Sequence, residues 1–582
     1  MLRRVLLWGF VWFVAGLVLI SQGEVVLAVD TIVQIVPDKA FYHPGEAVTL
    51  TISGANGKSG AQVKATVRYL GETLTTLSAS LQDGAASLSW TPPPTTPRGY
   101  GVDVEVVDAD GKVVASGSTA FDVLDDWLQA PRYGFLTNFS PGRSDIEATM
   151  DWVSSYHVNG LQFYDWQYRH ETLLPPASAI TDPTTKAYVD VLDRVHSLDT
   201  VNRLIDAAHA HNIAAMPYTA IYGASYEFYE QHPDWALFVK PGQPYDFADF
   251  LKIMDPTPGS PWANHLLNEF ADVLDKTAFD GIHIDQYGAP THGLNAAGQQ
   301  VNLETAFPAF IDAAAAIVHE KRGAKGATIF NLVRNWPVRT VAPSDENVVY
   351  IEVWDPYVHF MDLPRIVAQA HTLGGGKPVV IAAYILPEHF VNARLSNALI
   401  FGSGAYHLEI GEPNAMLSDP YFPNLAYMND EDKEIERKYY DFLVRYENVL
   451  ALGTSDGEDR ATALTIDGVP TVSFRSEDRV AVIARQAKDS SFETYSLVNL
   501  MGIGDGQWNG GITQAPTPLS ALATTIHVNK PVKRVWLASP DGTDASAQAA
   551  DFTTGSDAEG DLIRLNVPTL AYWTMLVVEY QS

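Results

Sequence analysis

Residues 279–288 have the sequence FDGIHIDQYG, in which an apolar run ends in a carboxylate that is followed by Gln, Tyr and Gly. Ile282 and Ile284 suit the interior of a protein. Asp285 does not, because a buried carboxylate without a partner costs several kcal/mol or gives up its charge. The segment therefore predicts a buried strand whose carboxyl end carries an acid with a function.

Seven more apolar runs occur between residues 132 and 412, and amphipathic segments separate most of them. The runs are RYGFLTNF (132–139), GLQFYDW (160–166), IAAMPYTAIY (213–222), ATIFNLVRN (327–335), VVYIEVWD (348–355), PVVIAAYI (378–385) and NALIFGSGAYHLEIGE (397–412). Helices between buried strands force parallel pairing with right-handed crossovers, and eight such units close naturally into a barrel. We therefore predict a central (β/α)8 TIM barrel over residues 125–454, with a doubly wound sheet as the alternative.

The helices of this barrel are indicated by apolar residues that recur at spacings of three and four. The clearest segments are 199–212, 262–277, 305–323 and 431–451. The connection between the fifth and sixth strands is the weakest, because PVRTVAPSDEN (337–347) is too short and too rich in proline for a good helix.

The regions on both sides of the barrel have the alternation of β-strands. Residues 102–117 contain two strands joined across Asp110 and Gly111, a strong hairpin signal, so we predict a β-sandwich over residues 29–124. Residues 455–582 again alternate apolar and polar residues, which predicts an all-β domain. Neither region contains a cluster of catalytic residues.

The composition limits the partners of the protein. Lys and Arg number 38 against 69 Asp and Glu, and the formal charge of −31 repels nucleic acids and anionic membranes. The absence of cysteine excludes disulfides and thiolate metal sites. We expect a monomer that binds a neutral partner and uses no cofactor.

The N-terminus predicts export. It has arginines at positions 3 and 4, an uncharged apolar run over 5–20 and a small-residue cleavage site that ends at Ala28. We expect a signal peptide over residues 1–28 and a secreted protein without stable membrane association after cleavage. The alternative is an uncleaved anchor, because the apolar run is a little long for a signal peptide and a little short for a span.

Two acids are expected to converge on the mouth of the barrel, where the strands end. Alternation along the fourth strand directs His283 and Asp285 inward. In the sixth strand it directs Tyr350, Glu352 and Trp354 inward. Asp165 ends the second strand as a third candidate, although the alternation there is less regular.

Paired carboxylates beside aromatic residues suit the cleavage of glycosides, in which one acid is ionised and the other is protonated. We predict Asp285 and Glu352 as catalytic residues. The residues predicted to bind substrate are Asp165, Trp166, Tyr168, Tyr287, Trp354 and Glu409. The spacing of His170, His283 and His292 fits no metal-ligand motif, so we expect packing or hydrogen bonding from them and no metal site.

The motifs RYGFLTNF, HVNGLQFYDWQYRHE, FDGIHIDQYG, YIEVWD and YYDFLVRYENVL resemble glycoside hydrolase family 66, which contains the dextranases and the cycloisomaltooligosaccharide glucanotransferases. The resemblance runs from about residue 131 to 450. It implies an immunoglobulin-like N-terminal domain, a Greek-key C-terminal domain and retaining cleavage of α-1,6-glucan. It also implies that Asp285 is the nucleophile, that Glu352 is the acid/base and that Asp165 binds sugar hydroxyls near the scissile bond.

The transferases of that family carry an inserted carbohydrate-binding module near the end of the barrel, and residues 384–439 leave no room for it. This favours a dextranase that hydrolyses dextran to isomaltooligosaccharides through a covalent glycosyl-enzyme. A cycloisomaltooligosaccharide glucanotransferase or another α-glucan transglycosylase is one alternative. A non-catalytic glycan-binding protein is the other, disfavoured by the presence of both acids.

Overall fold

The structure is a computed structural model that describes residues 33–54, 60–94, 97–472, 478–504 and 506–581. A parallel eight-stranded barrel surrounded by helices lies between N-terminal β-sheets and C-terminal antiparallel sheets, as the sequence predicts. Across the described ranges, every helix is too short or too polar to cross a lipid bilayer. The predicted signal peptide lies outside these ranges, and the predicted domain boundaries stay predictions.

The barrel consists of eight parallel strands whose order in the sheet follows their order in the chain. They are β1 (Tyr133–Leu136), β2 (Gly160–Phe163), β3 (Ala214–Ala220), β4 (Gly281–Asp285), β5 (Ala327–Val333), β6 (Val348–Glu352), β7 (Val379–Ala382) and β8 (Tyr406–His407). The backbone N–H of Phe135 donates to the carbonyl of Ile410 at 3.3 Å, which joins the chain just beyond β8 to β1 and closes the barrel.

The prediction for the eighth strand was largely wrong. Of residues 397–412, the first six belong to a helix that ends at Gly402, and only Tyr406–His407 pair with β7. The helix is buried nearly all round, so its sequence is as apolar as that of a buried strand and has no helical stripe.

Eight helices follow the eight strands in turn. They are α1 (Ile146–Ser154), α2 (Leu198–Ala210), α3 (Pro261–Lys276), α4 (Leu303–Arg322), α5 (Val338–Val341), α6 (Asp362–Leu373), α7 (Phe390–Gly402) and α8 (Asp430–Leu450). Ser197 caps α2 and Ser260 caps α3, because each side chain accepts a backbone N–H of the first turn. As expected, α5 between the fifth and sixth strands is a single turn.

The loops at the carboxyl ends of the strands carry short structure of their own. A helix, Tyr226–Gln231, lies between β3 and α3. The short strands of these loops are Ala187–Val189, Val195–Ser197, Gly223–Ser225, Phe238–Lys240, Gln243–Pro244, Asp246–Phe247, Leu251–Ile253, His292–Leu294, Gln300–Asn302, Ala415–Met416 and Ala426–Tyr427. Most of them belong to the loops after β3 and β4, which therefore form the most elaborate wall of the mouth.

The N-terminal region has two antiparallel sheets that share one apolar core. One sheet contains Gln34–Pro37, Val48–Ser53 and Ala86–Trp90, and the other contains Gln62–Tyr69, Glu72–Ser80, Arg98–Val107 and Val113–Val123. Helix α8 of the barrel packs on the second sheet, where the Arg445 guanidinium donates to both oxygens of Asp103 at 2.6 and 3.1 Å. This ion pair joins the sandwich to the barrel.

The C-terminal region also has two sheets, which are antiparallel except for the short strand Thr471–Val472. The larger sheet contains Thr454–Asp456, Thr471–Val472, Val480–Ala487, Phe492–Asn499, Val532–Ala538, Gln548–Ala550 and Trp573–Tyr580, and the smaller contains Leu464–Ile466, Leu519–His527, Phe552–Asp557 and Gly560–Leu570. One face of the larger sheet continues the apolar core of the barrel, since Trp573 contacts Phe442 of α8 at 4.7 Å between ring centres. The other face forms a separate core with the smaller sheet.

A substitution at Gly281, the first residue of β4, tests how closely the backbones of β4 and β5 pack. A Cβ atom added there would lie 1.8 Å from the carbonyl oxygen of Ala327, so the two backbones would have to separate. We expect Gly281→Ala to lower the free energy of unfolding by about 3 kcal/mol in urea titrations. Gly71→Ala is the control, because its Cβ would meet only Ala547 at an ordinary 3.6 Å. Equal stability of the two variants would contradict the close packing.

Candidate active site

A cavity of about 740 Å³ opens at the carboxyl ends of the barrel strands, where Asp285 and Glu352 both line it. Residues from the ends of β2 to β6 and from the loops after β7 and β8 form its walls. The register explains the convergence, because β5 lies between β4 and β6 and pairs with both. The cavity is therefore the mouth at which the sequence predicts the functional residues.

Asp285 is the last residue of β4 and is partly exposed to the cavity. The Tyr218 hydroxyl donates to its Oδ2 at 2.6 Å, and Asn331 Nδ2 donates to its Oδ1 at 2.7 Å. Burial, together with the nearby charge of Glu352, raises the pKa of Asp285 to about 7. The two hydrogen bonds act in the opposite direction because they stabilise the carboxylate.

Glu352 ends β6 and is 8% exposed. Its Oε1 accepts hydrogen bonds from Trp354 Nε1 at 2.8 Å and from the Tyr384 hydroxyl at 2.7 Å, and its Oε2 accepts one from Asn331 Nδ2 at 2.7 Å. Burial raises the pKa of Glu352 above its usual value, although the three hydrogen bonds act in the opposite direction because they stabilise the carboxylate. The side chain is thus fixed in direction and keeps its proton to higher pH than a surface glutamate.

Asn331 connects the two acids. Its Nδ2 atom is 2.7 Å from Oδ1 of Asp285 and 2.7 Å from Oε2 of Glu352, so these oxygens lie no farther apart than twice that distance. Two carboxyl groups this close do not both ionise at low cost, and their pKa values separate. The pair therefore passes through a state with a single proton, the state that glycoside cleavage requires.

His283 lies two residues before Asp285 in β4 and is buried inside the barrel. Its ring stacks on Tyr133 at 5.8 Å and meets Tyr350 edge-on at 5.0 Å between ring centres, and its Nδ1 lies 3.2 Å from the Tyr133 hydroxyl. Burial lowers the pKa of His283 to about 3, so the ring is neutral at the pH of most biological fluids. Its role is packing and hydrogen bonding, in agreement with the prediction.

Asp165 lines the same cavity from the end of β2. Its backbone has a positive φ of 55°, and its Oδ2 accepts a hydrogen bond from Arg194 Nη2 at 3.0 Å. Burial raises the pKa of Asp165 to about 6, and the positive charge of Arg194 limits the rise. Arg194 also donates to Asp190 and to the Tyr421 hydroxyl, and it thus links the loops after β2 and β8.

The structure brings some of the predicted binding residues to the cavity and not others. Tyr287 and Trp354 line it with Asp165, whereas Trp166, Tyr168 and Glu409 lie elsewhere. The left-handed backbone at Asp165 breaks the alternation of β2, and the Trp166 ring therefore enters the core 4.9 Å from Phe279.

Tyr168 packs against its neighbour Arg169, whose guanidinium lies 4.3 Å from the ring centre. Glu409 follows the short strand β8 and is fully buried beside His407, accepting a hydrogen bond from Asn397 Nδ2 at 2.9 Å. The prediction that these two side chains line the binding site does not fit their positions.

Three residues that donate hydrogen bonds to the two acids were missed by sequence reasoning. Asn331 and Tyr218 occupy inward positions in β5 and β3, and Tyr384 lies two residues beyond β7, as Trp354 lies two beyond β6. A polar side chain within an otherwise apolar strand was a usable signal in the runs that contain Asn331 and Tyr218. The partner of each side chain depends on the barrel register and could not be found from the sequence alone.

The histidines named as metal candidates do not come together. His170 lines the cavity beside Gln167, at 3.3 Å between Nδ1 and Nε2, and burial lowers its pKa to about 4. His292 is exposed in the loop after β4. Over the part of the chain that the structure describes, no group of three or more His, Asp or Glu side chains has an arrangement suited to a metal ion.

The barrel with two acids at its mouth defines a class of protein, the glycoside-cleaving enzymes of the TIM-barrel type. Within that class the chain belongs to glycosyl hydrolase family 66, whose sequence profile matches residues 37–577. The resemblance found in the motifs is thus confirmed at the level of the family.

Two curated relatives extend over most of the chain. A cycloisomaltooligosaccharide glucanotransferase of Niallia circulans is 26% identical over 705 aligned positions, which cover 93% of this chain and 71% of the relative. A dextranase of Streptococcus salivarius is 22% identical over 574 positions, which cover 83% of this chain and 68% of the relative.

Solved structures confirm the fold. A cycloisomaltooligosaccharide glucanotransferase of Paenibacillus sp., crystallised with cycloisomaltoheptaose, superposes with a TM-score of 0.86 at 24% identity and covers 94% of this chain and 99% of its own. An α-L-fucosidase of Paenibacillus thiaminolyticus reaches a TM-score of 0.53 at 11% identity, over 78% of this chain and 100% of its own.

Asn331→Ala tests the bridge between the acids. Without the Nδ2 donor the charged forms lose a hydrogen bond, so the pKa values of Asp285 and Glu352 both rise. We expect kcat to fall about 100-fold as both carboxyl groups lose their orientation. The acidic limb of the kcat/KM profile, which reports ionisation of the nucleophile in the free enzyme, should move to higher pH.

Asn295→Ala is the control for this prediction, because Asn295 is an exposed asparagine that bonds to Gln299 in the loop after β4. Its pH profile should match that of the unmodified protein. An acidic limb that stays in place in Asn331→Ala would show that Asn331 does not tune the pair.

Proposed function

We propose that the protein is a retaining enzyme that cleaves and re-forms glycosidic bonds of an α-1,6-glucan through a covalent glycosyl-enzyme. The observation that carries this proposal is the position of Asn331 Nδ2, which is 2.7 Å from an oxygen of each acid. Such closeness fits the separation of about 5 to 5.5 Å typical of retaining enzymes better than the roughly 6.5 to 9.5 Å of inverting ones.

In this mechanism Asp285 attacks the anomeric carbon as a carboxylate while Glu352 gives its proton to the departing glycosidic oxygen. The charge of Glu352 contributes to the raised pKa of Asp285, and protonation of Glu352 removes that repulsion. The mechanism requires Asp285 to ionise while Glu352 keeps its proton, and the hydrogen bonds from Tyr218 and Asn331 stabilise the Asp285 carboxylate. In the second step Glu352 takes a proton from the incoming hydroxyl, which attacks the anomeric carbon and releases Asp285.

The substrate follows from the names of the relatives, a cycloisomaltooligosaccharide glucanotransferase and a dextranase. Both names point to α-1,6-linked glucose. An electrically neutral polymer also suits a strongly acidic protein. A polymer of this kind is met outside the cell, which agrees with the export predicted from the N-terminal sequence.

We propose transfer to a sugar hydroxyl as the main outcome, with a cyclic isomaltooligosaccharide formed when the acceptor is the other end of the same chain. The Niallia circulans transferase, more identical and matched over more of the chain than the dextranase, supports this choice over the hydrolysis expected from the sequence.

Hydrolysis is the second candidate. The alignment with the transferase spans 705 positions, more than the 582 residues of this chain, so that relative carries residues within the matched region that have no counterpart here. This agrees with the lack of room for the inserted module between residues 384 and 439, which favours a dextranase. Water or sugar resolves the same glycosyl-enzyme, and the catalytic pair is common to both outcomes.

The substrate is tested by incubating the full-length protein with dextran, pullulan and starch and separating the products by chromatography and mass spectrometry. We expect activity on dextran and cyclic products, which lack the mass of one water relative to linear chains of equal length. Linear products with one new reducing end for each bond cleaved would establish hydrolysis instead, whereas linear products without new reducing ends would show transfer between chains. Activity on starch with none on dextran would contradict the proposed substrate. Asp285→Asn serves as the inactive control.

The roles of Asp285 and Glu352 can be distinguished by the products that their alanine variants form with azide. In Glu352→Ala, a substrate with a good leaving group such as α-glucosyl fluoride still forms the glycosyl-enzyme, and azide should then give a product of retained configuration. In Asp285→Ala, azide should enter from the vacated face and give the inverted product. Proton NMR of the glycosyl azides distinguishes them. The opposite pairing of variants and products would mean that the roles are exchanged.

A further inference from the structure

One wall of the cavity is a strained hairpin turn in the loop between β3 and α3. Strands Asp246–Phe247 and Leu251–Ile253 pair antiparallel, and the Phe250 N–H donates to the carbonyl of Phe247 at 3.3 Å. The two central residues, Ala248 and Asp249, have positive φ values of 52° and 59°. This is a type I′ turn, for which Asn-Gly is strongly preferred.

Ala248 is an unusual residue at such a position, whereas aspartate tolerates left-handed backbone better than most residues. Non-glycine residues persist in left-handed backbone only where the surrounding structure holds them, and such residues cluster at ligand-binding sites. The turn is held by Phe247, whose ring stacks on Tyr287 with 3.9 Å between centres and 12° between planes. Tyr287 lies two residues after Asp285, so the turn is fixed relative to the catalytic strand.

Phe250 at the end of this turn differs from the other aromatic residues of the cavity. Ten Phe, Tyr and Trp side chains line the cavity, and all but Phe250 contact another aromatic ring. Within the described residues, Phe250 has no ring partner and is half-buried. No other aromatic ring therefore covers Phe250, whereas each of the other nine rings has at least one ring against it.

We propose that Phe250 is a sugar-stacking residue, which receives the C–H face of one glucosyl unit of the α-1,6-glucan that the proposed function assigns as substrate. The apolar face of a pyranose matches the electron-rich face of an aromatic ring. Phe250 has no group for proton transfer or nucleophilic attack. Its contribution is therefore to hold a unit of the chain beyond the one whose bond is cleaved.

Phe250→Ala and Phe250→Trp test this role on two substrates, a linear isomaltooligosaccharide of at least six units and α-glucosyl fluoride. For the long substrate, Phe250→Ala should lower kcat/KM about tenfold, mainly through KM, while Phe250→Trp stays within about threefold of the unmodified protein. For glucosyl fluoride, which offers a single sugar unit, both variants should remain within about threefold.

Two controls separate stacking from damage to the loop. Asp249→Gly places glycine in the left-handed position of the same turn and leaves Phe250 unchanged. Tyr427→Ala removes an aromatic ring that is 63% exposed in the loop after β8 and does not line the cavity. Both variants should retain kcat/KM for the long substrate within about twofold, and urea unfolding should show all four variants folded.

The possible results distinguish a failure of the role proposed for Phe250 from a failure of the proposed function. A selective loss in Phe250→Ala that Phe250→Trp restores supports stacking. Equal losses on both substrates, or no loss on the long one, would overturn the role of Phe250 while leaving the proposed function intact. An unmodified protein that turns over no α-1,6-glucan overturns both.

Discussion

A single amide nitrogen holds the two acids of this barrel together. Asn331 Nδ2 lies 2.7 Å from each, and it can do so because β5, which carries it, pairs between β4 and β6. The spacing between the carboxyl groups is therefore a property of the barrel register. Burial raises the pKa values of both acids, and the short spacing adds the charge of Glu352 to the rise at Asp285. Fold, geometry and proton affinity are thus linked through one side chain.

The part of this arrangement that lies within single strands could be predicted from the sequence. Alternation in β4 and β6 correctly directed Asp285 and Glu352 to the mouth, because each strand is apolar and regular up to its final acid. The same reasoning failed where the local backbone departs from a strand. The positive φ of Asp165 turns Trp166 into the core, and the short strand β8 leaves Glu409 in a buried polar group beside His407. Neither departure has a clear signature in the residue pattern.

The supporting side chains could not be predicted, because they come from segments far apart in the chain. Tyr218 from β3 bonds Asp285, Tyr384 from beyond β7 bonds Glu352, and Arg194 from the loop after β2 bonds Asp165 and Tyr421. Each contact depends on the relative position of two or more barrel units. A sequence pattern can place an acid at a strand end, but the burial that raises its pKa and the donors that oppose this rise are fixed by tertiary structure.

In the proposed mechanism, the two acids of the first step and the walls that an acceptor would meet belong to different parts of the cavity. Asp285, Asn331 and Glu352 sit on adjacent strands, where their geometry is constrained by backbone hydrogen bonds between the strands. The walls above them come from loops, including the hairpin that ends in Phe250 and the loop that contains Tyr421. Loops tolerate change better than paired strands. We therefore expect that, in the proposed mechanism, the walls and not the pair of acids select a sugar or a water as the acceptor of the glycosyl-enzyme.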